Sequence, residues 1–249
     1  MTGGTAAELA RRYGSISAAT TASLDAAAGA RGASVETLME VAGWQVARCA
    51  WALIGGRRER IAVVAGHGNN GGDGAVAAVY LSAWGCPVAL HVVGRPGSAR
   101  ELVRRQLERA DAAGVLITHL ADGREPVLLD GAGLIIDALI GIGLRSAPRA
   151  PYAEVIAALV TPRLSPILSV DVPSGMEATS GQAFEPCVRA AATCTLAAVK
   201  SGLWEDDASM YVGTLHVADI GMPSDAWSDC RLVAPTDVTG GALIEVARG

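Results

Sequence analysis

The sequence predicts an α/β fold in which a mostly parallel sheet is covered by helices on both faces. Short runs rich in valine, isoleucine and leucine alternate along the chain with longer segments of helical spacing. The apolar runs are continuous, which is typical of strands that are buried on both sides. Because strands that alternate with helices form crossover units, the sheet is expected to be parallel. No internal repeat or linker is apparent, so residues 1–249 are expected to form one domain.

The chain is expected to begin with helices, over about residues 5–53. Residues 5–30 are rich in alanine and carry arginines and acids, which favours one or two helices. The segment Val35–Leu53 has apolar residues at helical spacing, and Ser34 is placed to cap its first turn. Met39 and Trp44 in this helix are interpreted as core residues.

An α/β core with a parallel sheet is expected over about residues 60–222, followed by a short C-terminal tail. Seven strands are predicted, at Ile61–Ala65, Val88–Val93, Val115–Thr118, Leu134–Leu139, Pro166–Asp171, Thr193–Ala198 and Thr214–Asp219. Helices are predicted between them at Gly74–Trp84, Ala99–Ala113 and Pro151–Val160. Pro151 suits the first turn of the last of these helices.

Composition and charge argue against several classes of protein. The net charge of −5 provides no general attraction for nucleic acid or for an anionic membrane. Five scattered cysteines without C-x-x-C spacing argue against a zinc site or a disulfide framework, and favour reduced thiols in the cytoplasm. The N-terminus lacks the apolar segment of a signal peptide, and no apolar run reaches the roughly 18 residues that span a bilayer.

The most informative segment is Gly66–Gly74, which reads Gly-His-Gly-Asn-Asn-Gly-Gly-Asp-Gly. It lies between an apolar run and a helix-forming run, so it is predicted to be a tight loop between a strand and a helix N-terminus. Such loops bind phosphates through backbone N–H groups and the positive end of the helix dipole. Asn69, Asn70 and Asp73 add amide and carboxylate oxygens that a simple turn does not need. The segment therefore indicates a ligand site.

Two aspartates follow apolar runs at the predicted ends of strands. Asp137 precedes Ala-Leu-Ile-Gly-Ile-Gly-Leu-Arg, and Asp171 precedes Val-Pro-Ser-Gly. One aspartate in such a position is most often a helix cap, but two, each followed by a glycine-containing loop, favour a shared site. In open parallel sheets, ligands bind beyond the carboxyl ends of the strands. The crevice formed by the loops after Gly66, Leu139 and Asp171 is therefore the predicted ligand site.

Three oxygen-bearing side chains, Asn70, Asp137 and Ser174, can enclose a hard cation together with backbone carbonyls. The small number of carboxylates favours a monovalent ion over a divalent catalytic metal. Such an ion would also offset the cost of burying a carboxylate at the end of a strand.

Five ordered segments together resemble the NAD(P)H-hydrate epimerase family, also written NAD(P)HX epimerase. They are Leu38–Gly43 (Leu-Met-Glu-Val-Ala-Gly), Gly66–Gly74, Asp137–Leu144, Val170–Gly175 (Val-Asp-Val-Pro-Ser-Gly) and Ala218–Pro223 (Ala-Asp-Ile-Gly-Met-Pro). The resemblance implies a Rossmann-like three-layer αβα sandwich. It also implies an isomerase that interconverts the R and S forms of hydrated NADH and NADPH in nicotinamide cofactor repair, upstream of a separate dehydratase. Many members continue into a fused dehydratase domain, which this chain is expected to lack.

The resemblance also implies which residues form the site. The hydrated nucleotide would contact Asn69, Asn70, Gly71, Gly72 and Asp73. Its phosphates would contact Gly141, Ile142, Gly143, Leu144, Arg145, Ser146 and Ala147, and Asp171 would lie beside the nicotinamide or its ribose. One K⁺ per subunit would be bound by Asn70, Asp137 and Ser174.

Some positions depart from the family pattern. His67 replaces proline, Ile140 and Ile142 replace phenylalanine and threonine, and Val199 precedes Lys200 where proline is common. These changes leave two alternatives open. One is a family member recruited to isomerise or cyclise another metabolite in a biosynthetic pathway, and the other is a non-catalytic nucleotide-binding partner protein. The polar residues of the predicted site are all retained. This argues against the second alternative, because mutations would be expected to remove buried charges that serve no function.

Inversion at a carbon that bears a hydroxyl can proceed through a ring-opened form or through departure and return of the hydroxyl. Both routes need a group that exchanges a proton. Asp171 is the first candidate because it ends a buried strand and precedes a rigid Pro-Ser-Gly turn. Lys200 is the second, although its position is equally consistent with a solvated loop lysine. His67 is the third and is interpreted as a wall of the pocket. A homodimer through the N-terminal helices is predicted from the resemblance and from Trp44 and Trp51.

Overall fold

The structure, a computed structural model, describes residues 5–122, 129–161 and 165–246 of the chain. The strands within these ranges are β1 (Ile61–Ala65), β2 (Val88–Val93), β3 (Leu116–Leu120), β4 (Leu134–Ala138), β5 (Ile167–Val170), β6 (Ala192–Leu196), β7 (Thr214–Ala218) and β8 (Leu243–Glu245). They form one sheet in the order β3-β2-β1-β4-β5-β6-β7-β8. Strands β1 to β7 pair in parallel, and β8 pairs antiparallel with β7.

The helices within the same ranges are α1 (Ala6–Tyr13), α2 (Ala18–Ala30), α3 (Val35–Leu53), α4 (Asn69–Ala83), α5 (Glu101–Ala112), α6 (Tyr152–Val160), α7 (Ser209–Val212) and α8 (Ser224–Asp229). Two short 3₁₀ helices precede α7, at Ser201–Trp204 and Asp206–Ala208. The predicted cap of α3 is confirmed, because the Ser34 hydroxyl accepts the N–H of Thr37 at 3.1 Å. In the described part of the chain, none of the helices combines the length and the apolarity that crossing a bilayer requires.

The side chains of β1 alternate between two layers of the core. Val63 and Ala65 pack in one cluster with residues of α3, α4 and α5. Ala62 and Val64 pack in a second cluster with residues of α6 on the opposite face. Both faces of the sheet are therefore covered, which is why its strands are apolar on both sides. The prediction of a Rossmann-like three-layer αβα sandwich with a mostly parallel sheet is confirmed.

The strand order reverses at β1, which pairs with β2 on one side and with β4 on the other. The chain leaves β1 into α4 on one face and leaves β4 towards α6 on the opposite face. These diverging connections open a crevice beyond the carboxyl ends of β1 and β4, which is the usual ligand position in such sheets.

Several boundaries differ from the sequence predictions. The helix predicted to begin at Gly74 begins at Asn69, so the asparagine–glycine segment is helical rather than a loop. Pro151 lies in the cap position before α6 and not in its first turn. Strand β8 was not predicted, because three residues are too few to display a periodic pattern. The same reason applies to α7 and α8, which have four and six residues.

The interpretation of Met39 as a core residue is confirmed, because its side chain is buried. The same interpretation was wrong for Trp44, which is only partly buried. The guanidinium of Arg48 lies 4.8 Å from the centre of the Trp44 ring, in a cation–π contact.

Candidate active site

A cavity of about 500 Å³ lies at the carboxyl ends of β1 and β4, where the strand order reverses. This volume is typical of small-molecule sites. Helices α2 and α3, the first turns of α4 and the segments after β4, β5 and β6 form its walls. Its polar wall includes Asp25, Asn69, Asn70, Asp73, Asp171 and Lys200. The structure thus brings together the three loops that the sequence predicted to meet.

The glycines at the start of α4 allow the helix to approach the end of β1 closely. A methyl group on Gly71 would lie 1.9 Å from the carbonyl oxygen of Gly66, and one on Gly74 would lie 2.5 Å from the Ala138 side chain. A methyl group on Gly72 would lie 2.5 Å from the methyl carbon of Met39. These glycines do not have positive φ angles, so absence of a side chain, and not turn geometry, is what the fold requires of them.

The Asp137 carboxylate is fully buried and is held by neutral donors. Its Oδ1 accepts the Ser174 hydroxyl at 2.6 Å, and its Oδ2 accepts the Ser169 hydroxyl at 2.8 Å and the Ser174 N–H at 2.9 Å. Burial raises the pKa of Asp137, and the hydrogen bonds from Ser174 and Ser169 oppose this rise. The Ser174 hydroxyl also accepts the N–H of Ile140 at 2.9 Å, which ties the segment after β5 to the segment after β4.

Asn70 lies beside this network. A methyl group on Gly141 would be 3.1 Å from Asn70 Oδ1, so the amide packs directly against the segment after β4. The three residues predicted to bind a monovalent cation therefore border one small region. In the described residues, no group of three or more His, Cys, Asp or Glu side chains is arranged to hold a metal ion, so oxygens of amides, hydroxyls and carbonyls would have to complete any cation site here.

Asp171 and Lys200 form a buried ion pair. The Lys200 side chain is 1% exposed, and its ammonium donates to Asp171 Oδ1 and, at 2.7 Å, to the carbonyl of Leu196. Asp171 Oδ1 also accepts the N–H of Leu196 at 3.1 Å and the hydroxyl of Thr195 at 3.2 Å. These contacts all fall on one oxygen of a residue that lines the cavity, and Oδ2 accepts no hydrogen bond from the described residues. The interpretation of Lys200 as a solvated loop residue was therefore wrong.

Two residues of the cavity wall have strained backbone conformations. Asp171 has φ 65° and Ala197 has φ 64°. Left-handed conformations are uncommon for residues other than glycine, although aspartate adopts them more readily than alanine. Such outliers cluster at functional sites, where the surrounding structure holds them. In this conformation the Asp171 carboxylate, just beyond the end of β5, accepts hydrogen bonds from donors at the end of β6.

Two further carboxylates share this cavity. Burial raises the pKa of Asp73 well above its usual value, and the nearby carboxylates of Asp171 and Asp25 raise it further while Lys200 opposes them. Burial likewise raises the pKa of Asp25, with Lys200 opposing. Asp25 was not predicted as a site residue from the sequence. The available signal was that Asp25 is the one charged residue of α2, a helix made otherwise of small, hydroxyl-bearing and apolar residues.

The segment predicted to hold phosphates lies only partly at the cavity. Gly141, Ile142 and Gly143 line it. Arg145 is exposed, and its guanidinium donates to the carbonyls of Ile142 at 2.9 Å and Leu144 at 3.0 Å. Ser146 and Ala147 are also exposed. Leu144, Arg145, Ser146 and Ala147 are not among the residues that line the cavity.

Two side chains that the sequence analysis did not select also line the cavity. Arg100, at the start of α5, is exposed and provides a cation at the cavity. Tyr152 also lines the cavity, and its hydroxyl accepts the N–H of His67 at 3.1 Å. The His67 ring contacts Ser98 through Nε2 at 3.1 Å and is not among the lining residues. The interpretation of His67 as a wall of the pocket was therefore wrong, because its ring is directed to the segment after β2.

Comparison with protein families supports the sequence resemblance. Residues 35–202 match the family described as the YjeF-related protein N-terminus. The chain is 36% identical to the NAD(P)H-hydrate epimerase of Levilactobacillus brevis over 164 residues, which cover 66% of this chain and 74% of that protein. It is 37% identical to the enzyme of the same name from Limosilactobacillus fermentum, covering 64% of this chain and 74% of that protein.

Longer relatives match over part of their length. The chain is 36% identical to the bifunctional NAD(P)H-hydrate repair enzyme of Thermofilum pendens over 209 residues, which cover 83% of this chain and 40% of that enzyme. Across four such bifunctional relatives, the chain spans 35% to 40% of their length.

A solved structure shares the fold. The crystal structure of the yeast protein YNL200c superposes with a TM-score of 0.75 at 22% sequence identity, and the match covers 93% of this chain and 99% of the yeast chain. The shared fold, the matched family region and the sequence identity to the Levilactobacillus enzyme lead to one conclusion. This chain belongs to the NAD(P)H-hydrate epimerase family, and its residues 35–202 match the YjeF-related N-terminus.

Proposed function

We propose that this protein interconverts the R and S forms of hydrated NADH and NADPH, and thereby serves nicotinamide cofactor repair. The observation that carries the proposal is the buried Asp171–Lys200 pair at the cavity, in which one carboxylate oxygen is held by donors and the other is free for a ligand. An oriented carboxylate with a free oxygen can exchange a proton with a bound ring. Family membership provides the substrate class, since relatives carry the name NAD(P)H-hydrate epimerase.

In this proposal, Asn69–Asp73 and Gly141–Gly143 bind the hydrated nucleotide. The first turn of α4 offers unpaired backbone N–H groups and the positive end of the helix dipole, which suits a phosphate. Arg100 adds a cation at the same cavity. Asp171 then exchanges protons with the substrate, and Lys200 fixes the carboxylate. Leu144–Ala147 lie outside the cavity wall, and we propose that they contact the distal phosphates of a bound dinucleotide.

The decisive experiment starts from a single purified epimer of hydrated NADH. We expect the protein to bring it to the R/S equilibrium much faster than the spontaneous reaction, as followed by chiral-sensitive chromatography. A protein that binds hydrated NADH without accelerating equilibration would instead be a non-catalytic nucleotide-binding partner. A protein that neither binds nor equilibrates it would be a recruited isomerase or cyclase, for which Ile140 and Ile142 in the cavity wall provide the altered contacts.

We propose in addition that one K⁺ binds at Asn70, Asp137 and Ser174. The residues fit a hard cation, because they offer oxygens and because the Asp137 carboxylate is fully buried with neutral hydrogen-bond donors around it. An ion there would offset the cost of the buried charge and hold the start of α4 against the segment after β4.

Replacing K⁺ by tetramethylammonium at equal ionic strength should lower the melting temperature. An ion present at tenfold its dissociation constant stabilises a fold by about 1.4 kcal/mol. That corresponds to about 3–6 °C for a domain of this size. Differential scanning fluorimetry measures the shift. Asn70→Ala should remove the difference between the two salts, and equal melting temperatures for the wild type in both salts would reject the ion site.

We also propose that the protein is a cytoplasmic homodimer that works with a separate dehydratase. The dimer is proposed to form through the N-terminal helices α1–α3. Light scattering at micromolar concentration should give twice the chain mass of 25.3 kDa. A monomeric mass at that concentration would reject the dimer.

The bifunctional relatives, which carry repair activity in one longer chain, support the functional link to a dehydratase.

A further inference from the structure

The Asp73 side chain is a buried carboxyl group in the cavity wall. It is 7% exposed, lines the cavity and has no hydrogen-bond partner among the described residues. Asp171, in contrast, accepts three hydrogen bonds on Oδ1. A buried carboxyl group without partners is costly when ionised and far less costly when it carries a proton. The two carboxyl groups therefore have opposite environments within one cavity.

The charges around Asp73, like its burial, disfavour the ionised form of its carboxyl group. Asp171 after β5 and Asp25 on α2 are carboxylates close enough to repel a charge on Asp73. The opposing cation, Lys200 after β6, is engaged by Asp171 and by the carbonyl of Leu196. Arg100 at the start of α5 lies on the exposed side of the cavity. Burial and the two carboxylates raise the pKa of Asp73 well above its usual value.

We propose that Asp73 is the general acid of this site and Asp171 its general base, with Asp25 acting as a positioning residue that keeps the proton on Asp73. This inference rests on the proposed epimerase function. It assigns separate roles to two carboxyl groups of one cavity, one without hydrogen-bond partners and one held by three donors, and different surroundings are how a pair of like residues divides acid and base work. Lys200 serves in this scheme to hold the base and does not exchange the proton.

The chemistry of the substrate needs both groups. Hydration of an enamine places the hydroxyl on the carbon bonded to the ring nitrogen, which makes that carbon a hemiaminal. Asp171 takes the hydroxyl proton, the carbon–oxygen double bond forms and the carbon–nitrogen bond breaks. The electron pair of that bond goes to the nitrogen, which takes the proton of Asp73. The ring is then open, Asp171 is protonated and Asp73 is ionised.

Ring closure reverses each transfer on the other face of the carbonyl. After rotation about the adjacent carbon–carbon bond, the nitrogen adds to the carbonyl carbon and returns its proton to Asp73. The carbonyl oxygen takes the proton from Asp171. The hydroxyl-bearing carbon has been inverted, both carboxyl groups have regained their starting states, and no oxidant, reductant or water is consumed.

The pH dependence of Asp73→Asn tests the acid. For the wild type, kcat/KM should fall on the alkaline side as Asp73 loses its proton. The variant has an amide of the same size that cannot give up a proton in this way. Its kcat should fall about 100-fold, its KM should change little, and the alkaline limb should disappear. Asp111→Asn, which changes an exposed charge on α5, should match the wild type in every parameter.

Asp25→Asn tests the positioning role. Removing a like charge lowers the pKa of Asp73, so the alkaline limb should move to lower pH while kcat at its optimum falls less than in Asp73→Asn. A merely structural role for Asp25 would lower the melting temperature without moving the limb. Wild-type kcat and pH profile in Asp73→Asn, or a loss confined to KM, would overturn the acid. An unmoved limb in Asp25→Asn would overturn the role of Asp25.

An independent measurement separates this proposal from the epimerase proposal. Infrared difference spectra between the wild type and Asp73→Asn at neutral pH report whether Asp73 carries a proton in the free protein. A protonated-carboxyl band that the variant lacks supports the acid even if the protein fails to equilibrate hydrated NADH. An ionised Asp73 at neutral pH overturns the proposal whatever the activity.

Discussion

Asp171→Asn should lower the rate of epimerisation by about two orders of magnitude or more, the usual scale for loss of a general acid–base group. The reason lies in how the carboxylate is held. Oδ1 is fixed by Lys200, Thr195 and Leu196, so we expect the proton to be exchanged at Oδ2. Asparagine preserves the shape and can still accept the N–H of Leu196, but it provides no base. The KM for hydrated NADH should change much less than kcat.

The same substitution should also destabilise the fold. A loss of activity could therefore come from lost stability as well as from the lost base. Lys200 is 1% exposed, and removing its partner leaves a buried ammonium without its ion pair. Breaking a buried pair on one side typically costs about 3–5 kcal/mol. Asp73 can recover part of this loss by releasing its proton, because it lies within reach of the Lys200 charge.

A double variant separates the two effects. In Asp171→Asn with Lys200→Met, both charges are absent, and stability should return towards that of the wild type, because replacing a whole buried pair is often neutral. Its epimerisation rate should stay at the level of the single variant. Urea unfolding and the equilibration assay together provide the measurement. A double variant that regains the wild-type rate would show that Asp171 is not the proton-exchanging group.

The central strands of the fold could be predicted from the sequence because their segments are mostly apolar runs that end near glycine or proline. The meeting of Asp137 and Asp171 followed from the same pattern, since the carboxyl ends of parallel strands lie at one edge of the sheet. Both are local signals. The apolar pattern of β1 and β4 therefore predicts the position of the cavity as well as the fold.

What the sequence did not predict depends on contacts between distant segments. The asparagine–glycine segment resembles a loop because glycine has low helix propensity, yet it is helical because α4 packs against β1 too closely for side chains. Lys200 resembles a solvated lysine until its burial against Asp171 is seen. Asp25 lies in an alanine-rich helix far along the chain from the other site residues, and only the packing of α2 brings it to the cavity.

Gly71→Ala should produce the largest loss of stability of any single methyl addition in the site. The added carbon would lie 1.9 Å from the carbonyl oxygen of Gly66, and also 2.7 Å from its carbonyl carbon and 2.9 Å from its nitrogen. These are backbone atoms at the end of β1 and cannot rotate away as a side chain would. The helix must therefore shift as a unit. Overpacking of a core usually costs about 1–3 kcal/mol, and a rigid neighbour places this case at or above the upper end.

Gly29→Ala is the matched control, because the same methyl group on α2 would meet nothing within 4 Å. Alanine is favoured over glycine in a helix by about 0.5–1 kcal/mol, so this variant should be as stable as the wild type or slightly more stable. Gly71→Ala should melt roughly 6–12 °C lower, as a loss of about 3 kcal/mol implies for a chain of this size. Because the shift displaces Asn70 and Asp73 together, the folded fraction should also bind hydrated NADH more weakly, which isothermal titration below the melting transition would measure. Equal melting temperatures for the two variants would mean that α4 can move without cost, and that the glycines at its start are present for the ligand and not for the close approach to β1.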